Sequence, residues 1–573
     1  MAYISSAGTD NLKSLIDKGE YYVDKTLAIK EMLEAGGDVF LMTRPRRFGK
    51  TLMLTMLQYF FEKSEIPTDY LFKNKKIWNQ AHPTLGPYKD MQGKYPVITL
   101  NFKDIESKTW PEAYEKFTHN IAREFKRHDY LLKDSISTTE RTNFENIINR
   151  TATRAEYEES IASLSGLLSQ HHKQKTIFLL DEYDVPIHAS YVHGYYEDII
   201  AFMKPLLSAI LKSNVTLAYG FITGALHIAK AGLFTGLNNL NVFTITSTVL
   251  TDKFGFTDQE VKTMLADANL SEHYTAIKAW YNGYHMGIPP DDVLIYNPWS
   301  IVKCLQSKGH ILPYWANSSN NLLLRRVLGK ADTATKIELE QLLKENTLTK
   351  EIDASLIMPA LDYDASSVWT LLLFTGYVTY TAIKGPGSRE FSLTLPNEEI
   401  KDIYFTLLKS IFSSSISGNP VHNLLIALKD GDTESVQELV EDFVVNTMSF
   451  FDIPEKTPER SYHLFVLGLL ATLKNDYDIK SNRESGHGRY DVRFIPRHTT
   501  NTRAFIIEFK VAKTLEQLAT AADEAIQQII DKDYIQEIND RGFNDILLYG
   551  MAFYKKKVLV KLDDHTATQK QKN

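Results

Sequence analysis

Five short apolar runs, rich in β-branched and aromatic residues, punctuate the first half of the chain: Val39–Thr43, Val97–Phe102, Thr176–Leu180, Leu217–Thr223 and Val242–Thr246. Each run is continuous, and helix-like segments lie between them. A continuous apolar strand is buried on both faces, and strands separated by helices pair in parallel. The pattern predicts an α/β domain over residues 1–260, with helices on both sides of a parallel sheet.

The period changes after that. Residues 261–430 read as mainly helical: Thr257–Ala268 and Ala334–Asn346 are amphipathic, and Asn282-Gly283 and Pro289-Pro290 mark turns. Residues 431–573 read as a third part, a compact α+β or α/β unit. It opens with a helix over Pro458–Lys474. Strands follow near Asp491–Ile495, Ala504–Lys510, Ile546–Tyr554 and Val558–Leu562, with a helix over Leu515–Ile530 among them. A length of 573 residues accommodates three such parts.

Composition removes several classes. Hydrophobic residues at 43% and charged residues at 24% exclude a largely disordered chain. The net charge of −7 argues against a generic basic nucleic-acid coat, though not against a local basic groove. One cysteine, Cys304, can close no intrachain disulfide and build no Cys-rich zinc site. The N-terminus has no basic stretch leading into an apolar one. The longest apolar runs, His463–Leu473 and Leu371–Ile383, fall short of the ~20 residues that span a bilayer. The expectation is a soluble cytoplasmic protein with no membrane partner. No internal repeat is evident, and the polar tail Thr566–Asn573 is expected to fray.

Three clusters carry chemistry. The first is Arg44-Pro-Arg-Arg-Phe-Gly-Lys-Thr51, between the run Val39–Thr43 and a helix expected over Leu52–Glu62. A strand, a tight loop and a helix start aim backbone N–H groups and the positive helix end at one point. Arg46, Arg47, Phe48, Gly49, Lys50 and Thr51 are the candidate phosphate-binding segment. Gly49 permits close approach, Lys50 reaches the terminal phosphates, and Thr51 holds Mg²⁺. The pattern matches the second half of a P-loop, but Arg44 stands where its first glycine belongs. Loop closure must then be achieved differently, and Arg44, Arg46 and Arg47 are expected to add positive charge beside the phosphates. The second cluster is Ile177-Phe-Leu-Leu-Asp181-Glu182, an apolar strand ending in two acids, the Walker B form. Asp181 is the candidate Mg²⁺ ligand and Glu182 the group that orients or deprotonates the attacking water. Thr223, at the end of a further strand, is a candidate sensor of the terminal phosphate.

The third cluster lies near the C-terminus. Asp491 starts one strand, and Glu508 and Lys510 sit two apart on the next, so they project from one face. Antiparallel pairing across the loop Pro496–Arg503 brings Asp491 near Glu508. Two carboxylates so placed make an Mg²⁺ or Mn²⁺ site, and a lysine beside them can orient a water. The span Ser481–Lys510 holds six Lys or Arg against three Asp or Glu, a phosphate-attracting stretch in an acidic chain. Glu459, Glu484, Gln528 and Tyr534 are subsidiary candidates without an assigned role. His463 and His487 read as packing and loop residues.

The motifs YVDKT (Tyr22–Thr26), TRPRRFGKT (Thr43–Thr51), LLDEYDVPI (Leu179–Ile187), WYNGY (Trp280–Tyr284), YNPWSI (Tyr296–Ile301) and FTGYVTY (Phe374–Tyr380) resemble a bacterial family of AAA-ATPase-like proteins. These proteins end in a PD-(D/E)XK nuclease-superfamily domain. SNRESGHGRYD (Ser481–Asp491), IIEFK (Ile506–Lys510) and the stretch around Gln528 and Tyr534 resemble that second domain. The resemblance implies a P-loop NTPase sheet of the ASCE or AAA-like type, a helical middle, and a restriction-endonuclease-like α/β end. It implies ATP and Mg²⁺ at Lys50, Thr51, Asp181 and Glu182, with a nuclease core at Asp491, Glu508 and Lys510. The expected function is an ATP-gated, metal-dependent nuclease acting on DNA ahead of RNA, compatible with a homo-oligomer. The alternative is a nucleotide-dependent switch or remodelling ATPase whose nuclease-like domain only binds nucleic acid or a protein.

Overall fold

Val39–Thr43 is buried at every residue, as an apolar strand between two helical layers must be. It forms β1. β2 (Val97–Asn101), β3 (Thr176–Asp181), β4 (Leu217–Gly224) and β5 (Leu240–Phe243) complete its sheet. The order is β2-β3-β4-β1-β5, and every pairing is parallel. This computed structural model describes residues 8–564 except 228–232, 235–236, 238, 316–332, 344–346, 354–357, 363, 386–387, 416–419, 451–476, 485–488, 498–502, 532–533 and 555–556. The chain divides into two compact units: residues 1–330 with 345–400, and residues 331–344 with 401–573.

In the first unit, helix α1 (Lys50–Phe61) lays Met53, Leu57, Phe60 and Phe61 against Phe40, Leu179 and Phe221 of the sheet. Further helices follow, among them α2 (Trp110–Arg127), α3 (Arg154–His172), α4 (Val185–His193) and α5 (Tyr196–Leu211). Phe102, Phe117 and Phe202 interlock where α2 and α5 meet, with centroids 4.9 and 5.2 Å apart. α1 starts at Lys50, two residues earlier than the sequence suggested, because Gly49 takes a left-handed φ of 86° and serves as its N-cap. β5 ends at Phe243 rather than Thr246. The Ile245 carbonyl is taken by the Tyr380 hydroxyl and the Gly287 N–H, so it cannot extend the ladder.

The middle of the chain is helical, with α6 (Asp258–Asp267), α7 (Tyr274–Tyr281), α8 (Pro298–Gln306), α9 (Thr333–Leu343) and α10 (Ala365–Thr375). It also holds two small antiparallel sheets that were not expected. One joins β6 (Phe256–Thr257), β7 (Tyr284–Met286) and β8 (Val293–Tyr296). The other joins β9 (Leu348–Glu351), β10 (Thr379–Ile383) and β11 (Glu390–Thr394). Strands of two to five residues are too short for a readable alternation.

The second unit carries helices α11 (Pro420–Asp430) and α12 (Thr433–Phe450) and a five-stranded sheet. Its strands, β12 (Tyr477–Glu484), β13 (Arg489–Pro496), β14 (Arg503–Val511), β15 (Asp545–Tyr554) and β16 (Lys557–Asp564), lie in chain order. All neighbours are antiparallel except β14 and β15. That parallel pair needs a crossover, supplied by α13 (Leu518–Asp531) and α14 (Tyr534–Asp540). One face is covered by α11 and α12, where the Tyr549 hydroxyl donates to Leu428 O at 2.7 Å. The other face meets α13. β12 was not anticipated, and Glu484 is its last residue. Glu459, His463, His487 and the expected helix Pro458–Lys474 lie outside the described residues.

Candidate functional site

The first site grows from the ends of four parallel strands. Asp181 closes β3, and three side chains donate to its carboxylate. Thr51, in the first turn of α1, donates from Oγ1 to Oδ2 at 2.7 Å. Asn101, at the end of β2, donates from Nδ2 to the same oxygen at 3.1 Å. Thr223, near the end of β4, donates from Oγ1 to Oδ1. The register explains the convergence: Asn101 pairs with Asp181 across β2 and β3, and Leu180 pairs with Ile222 across β3 and β4, which puts Thr223 beside Asp181. Asn101 was not singled out from sequence. A polar residue near the end of the run Val97–Phe102 was the available signal.

Lys50 is buried, with Nζ 3.5 Å from Glu182 Oε1 and 3.4 Å from Pro45 O. Burial pushes the Glu182 carboxyl upward. Lys50 pulls it the other way, and Asp184 and Asp181 add to the rise. Glu182 and Arg47 both hold positive φ, 52° and 68°, a costly conformation for a side-chain-bearing residue. Asp184 is buried, and its Oδ2 accepts the N–H groups of Ala225 at 2.8 Å and Leu226 at 3.0 Å. The two strand ends are thereby locked together. His188, one turn into α4, is buried 3.6 Å from Asp184, and burial brings its ring down to about 4.

The three loop arginines divide their work. Arg44 is buried and faces inward, a correction to the expectation that it charges the phosphate site. Its guanidinium donates to Thr43 O, Phe243 O and Leu250 O at 2.8, 2.9 and 3.1 Å and lies over Phe254. It ties β1, β5 and the following turn together where a P-loop has glycine. Arg47 stacks 4.2 Å from the Trp299 ring centroid, at the start of α8. Arg46 lines the cleft. Phe48 is buried edge-on to Tyr284, so its backbone is what it offers a ligand. Arg46, Gly49, Lys50, Thr51 and Glu182 share a cleft of about 490 Å³ with the N-terminal segment near Tyr21–Lys25 and with Trp299.

The remaining motifs build the walls. In YVDKT, Asp24 accepts from Thr26 and from the Lys76 N–H, and Lys25 bridges to Glu260 at 2.7 Å. In YNPWSI, Asn297 caps α8 through the Trp299 N–H at 2.9 Å.

The second site lies on the sheet of the second unit. Asp491 stands directly opposite Glu508 in the antiparallel ladder of β13 and β14. Glu508 is fully buried, and Lys510 follows two positions on, partly exposed. Arg493, also buried and opposite Ile506, shares the same face and was missed in the sequence. Glu508 pairs with Gly550 of β15. A Cβ at Gly550 would meet Ala522 O at 2.3 Å, so its absence lets α13 settle on this face. α13 carries Gln528, whose Nε2 is buried with no hydrogen-bond partner among the described residues. Tyr534 opens α14. Among the described residues, no group of three or more His, Cys, Asp or Glu gathers as a metal cluster.

Comparison with known proteins agrees with this division. Residues 6–234 match the model of a family described as predicted AAA-ATPase. Residues 457–562 match the PD-(D/E)XK nuclease superfamily. The chain joins an AAA-ATPase-like domain to a PD-(D/E)XK nuclease-superfamily domain. The parallel sheet belongs to the ATPase-like domain and the mixed sheet to the nuclease-superfamily domain. A relative from Azotobacter chroococcum mcd 1, described as an uncharacterized protein in the vnfD 5′ region, is 26% identical over 562 residues and covers 93% of each chain. Domains of these two kinds support nucleotide and nucleic-acid binding and the use of a divalent metal. Among the described residues, no helix is long and apolar enough to cross a membrane.

Proposed function

We propose that the protein binds ATP and uses it to gate metal-dependent hydrolysis of phosphodiester bonds in DNA. The observation that carries the nuclease half is the fully buried Glu508, directly opposite Asp491 and two residues before Lys510. A carboxylate held inside a sheet at such cost is explained by a task. Asp491 and Glu508 supply hard oxygen ligands that fit Mg²⁺ or Mn²⁺. The ion, when bound, would polarise the phosphodiester and acidify a water. Lys510 orients the water and stabilises charge on the phosphate oxygens.

The ATP half rests on the group around Asp181. The hydroxyl of Thr51 and the Asp181 carboxylate form an oxygen donor set suited to Mg²⁺. Lys50, Arg46 and the backbone through Gly49 receive the phosphates. Glu182, its carboxyl raised by burial, is suited to take a proton from the attacking water. Thr223 reports the terminal phosphate through its bond to Asp181. In this reading residues 1–260 bind nucleotide, 261–430 transmit its state and 431–573 cut. Phosphodiester hydrolysis needs no ATP, so the nucleotide gates the cut rather than driving it. The test is plasmid cleavage by the full chain with Mg²⁺ or Mn²⁺, with and without ATP, extended to single-stranded DNA and RNA. Cleavage lost in Glu508→Ala is the expected result. Wild-type cleavage equal to that variant in every nucleotide state would sink the proposal.

A further inference from the structure

Lys103 sits just past the end of β2, in a loop fixed at several points. Its own N–H donates to Asn101 Oδ1 at 2.9 Å, and Asn101 Nδ2 donates to Asp181 Oδ2 at 3.1 Å. The Asn101 carbonyl accepts from Asn120 Nδ2 at 2.7 Å, and the Phe102 N–H donates to Asp181 O at 3.0 Å. Phe102 and Ile105 anchor the loop in the core. Lys103 itself is exposed, and it lines the same cleft as Lys50, Arg46 and Glu182.

The other cations there are mostly engaged. Lys50 faces Glu182, Arg47 stacks on Trp299, Lys25 pairs with Glu260 and Lys253 with Glu31. Among the described residues Lys103 enters no ion pair, so its charge is available to a ligand. When a terminal phosphate is hydrolysed, water oxygen forms the new bond to phosphorus. The bond to the β,γ-bridging oxygen breaks with its electron pair left on ADP, and the water proton passes to Glu182. Negative charge grows at the bridging oxygen, and a fixed cation nearby lowers the barrier.

We propose that Lys103 supplies that cation from within the same chain, so that the site turns over ATP without an arginine from a second copy. The proposal rests on the reading of the cleft as an ATP site. The experiment compares wild type with Lys103→Ala, Lys103→Arg and Lys50→Ala as full chains. ATP turnover is measured over a wide range of protein concentration, and binding with fluorescent mant-ADP and a non-hydrolysable mant-triphosphate. Lys103→Ala should lower kcat by about 100-fold, the usual effect of losing one transition-state contact. It should weaken the triphosphate more than mant-ADP, and Lys103→Arg should restore most of both. Wild-type turnover per molecule should not depend on protein concentration. Unchanged turnover in Lys103→Ala beside an inactive Lys50→Ala would overturn the role of Lys103 alone. Equal weakening of both nucleotides would do the same. Full turnover in Lys50→Ala would overturn the ATP site itself.

Discussion

Arg44 shows how one side chain can stand in for a glycine. Its guanidinium satisfies three carbonyls from β1, β5 and the turn after β5, and burial lowers it to about 10. Removing it strands Phe243 O and Leu250 O inside the protein. Arg44→Ala is therefore expected to cost about 2–4 kcal/mol, seen as a lower thermal midpoint. Arg44→Lys should recover only part, since a compact ammonium cannot fork across carbonyls on separate segments. His188 gives a pH prediction. Its ring stays neutral in the fold down to about 4, while an unfolded histidine titrates near 6.5. The contribution is thus fully present above about 6.5 and is lost as pH falls toward 4. It amounts to roughly 3 kcal/mol for a shift of this size. His188→Asn should flatten the acid limb of stability between those pH values, measured by denaturant unfolding across the range. An unchanged limb would show that another group governs it.

At the scale of elements, Gly550 beneath α13 has the least room of the described glycines in the second unit. Gly550→Val places a side chain where Ala522 O and Ile526 already stand, at 2.3 and 2.9 Å from the first added carbon. The helix must lift from the Glu508 face, at an expected cost of about 1–3 kcal/mol. Circular dichroism melts would report the loss, and the proposed DNA cleavage should fall with it because the sheet face that carries Glu508 is uncovered. Elements were legible wherever burial is symmetric. Val39–Thr43 is a strand with the bounds its apolar run suggests, because nothing but burial decides it. The pairing of Asp491 with Glu508 was legible because a short connection leaves few registers for two adjacent strands. What stayed hidden depended on long-range partners. Arg44 reads as surface charge until the carbonyls of Phe243 and Leu250 are brought to it. Asn101 gains meaning only when its strand lies beside that of Asp181. Tyr477–Glu484 is polar enough to read as loop, and it becomes a strand by pairing along its whole length with Arg489–Pro496.

At the scale of the whole molecule, the proposed nucleotide site and the proposed cutting site make crossed predictions. The two carboxylate groups belong to different compact units and share no residue. Glu508→Gln keeps the shape of a buried side chain and removes its charge. It should lower DNA cleavage by about 100-fold or more while leaving ATP binding and turnover near wild type. Lys50→Ala removes the cation expected to hold the phosphates. It should abolish ATP turnover and leave a metal-supported cleavage rate that no longer responds to ATP. The double variant should resemble Glu508→Gln in cleavage and Lys50→Ala in turnover. A gate requires the ATP response of cleavage to vanish in Lys50→Ala. If added ATP changed cleavage equally in wild type and Lys50→Ala, the nucleotide would act elsewhere. If Lys50→Ala and wild type cut equally with no response to ATP in either, the two domains would be functionally independent. The net charge of −7 makes salt the second axis of the same experiment. DNA should be held by the local excess of arginine and lysine over Ser481–Lys510, against the repulsion of the acidic remainder. Apparent DNA affinity should then fall steeply with salt, with a log–log slope near −0.9 for each phosphate neutralised. Replacing the exposed Arg497 by Ala should reduce that slope by about one, and an unchanged slope would show that this arginine meets no phosphate.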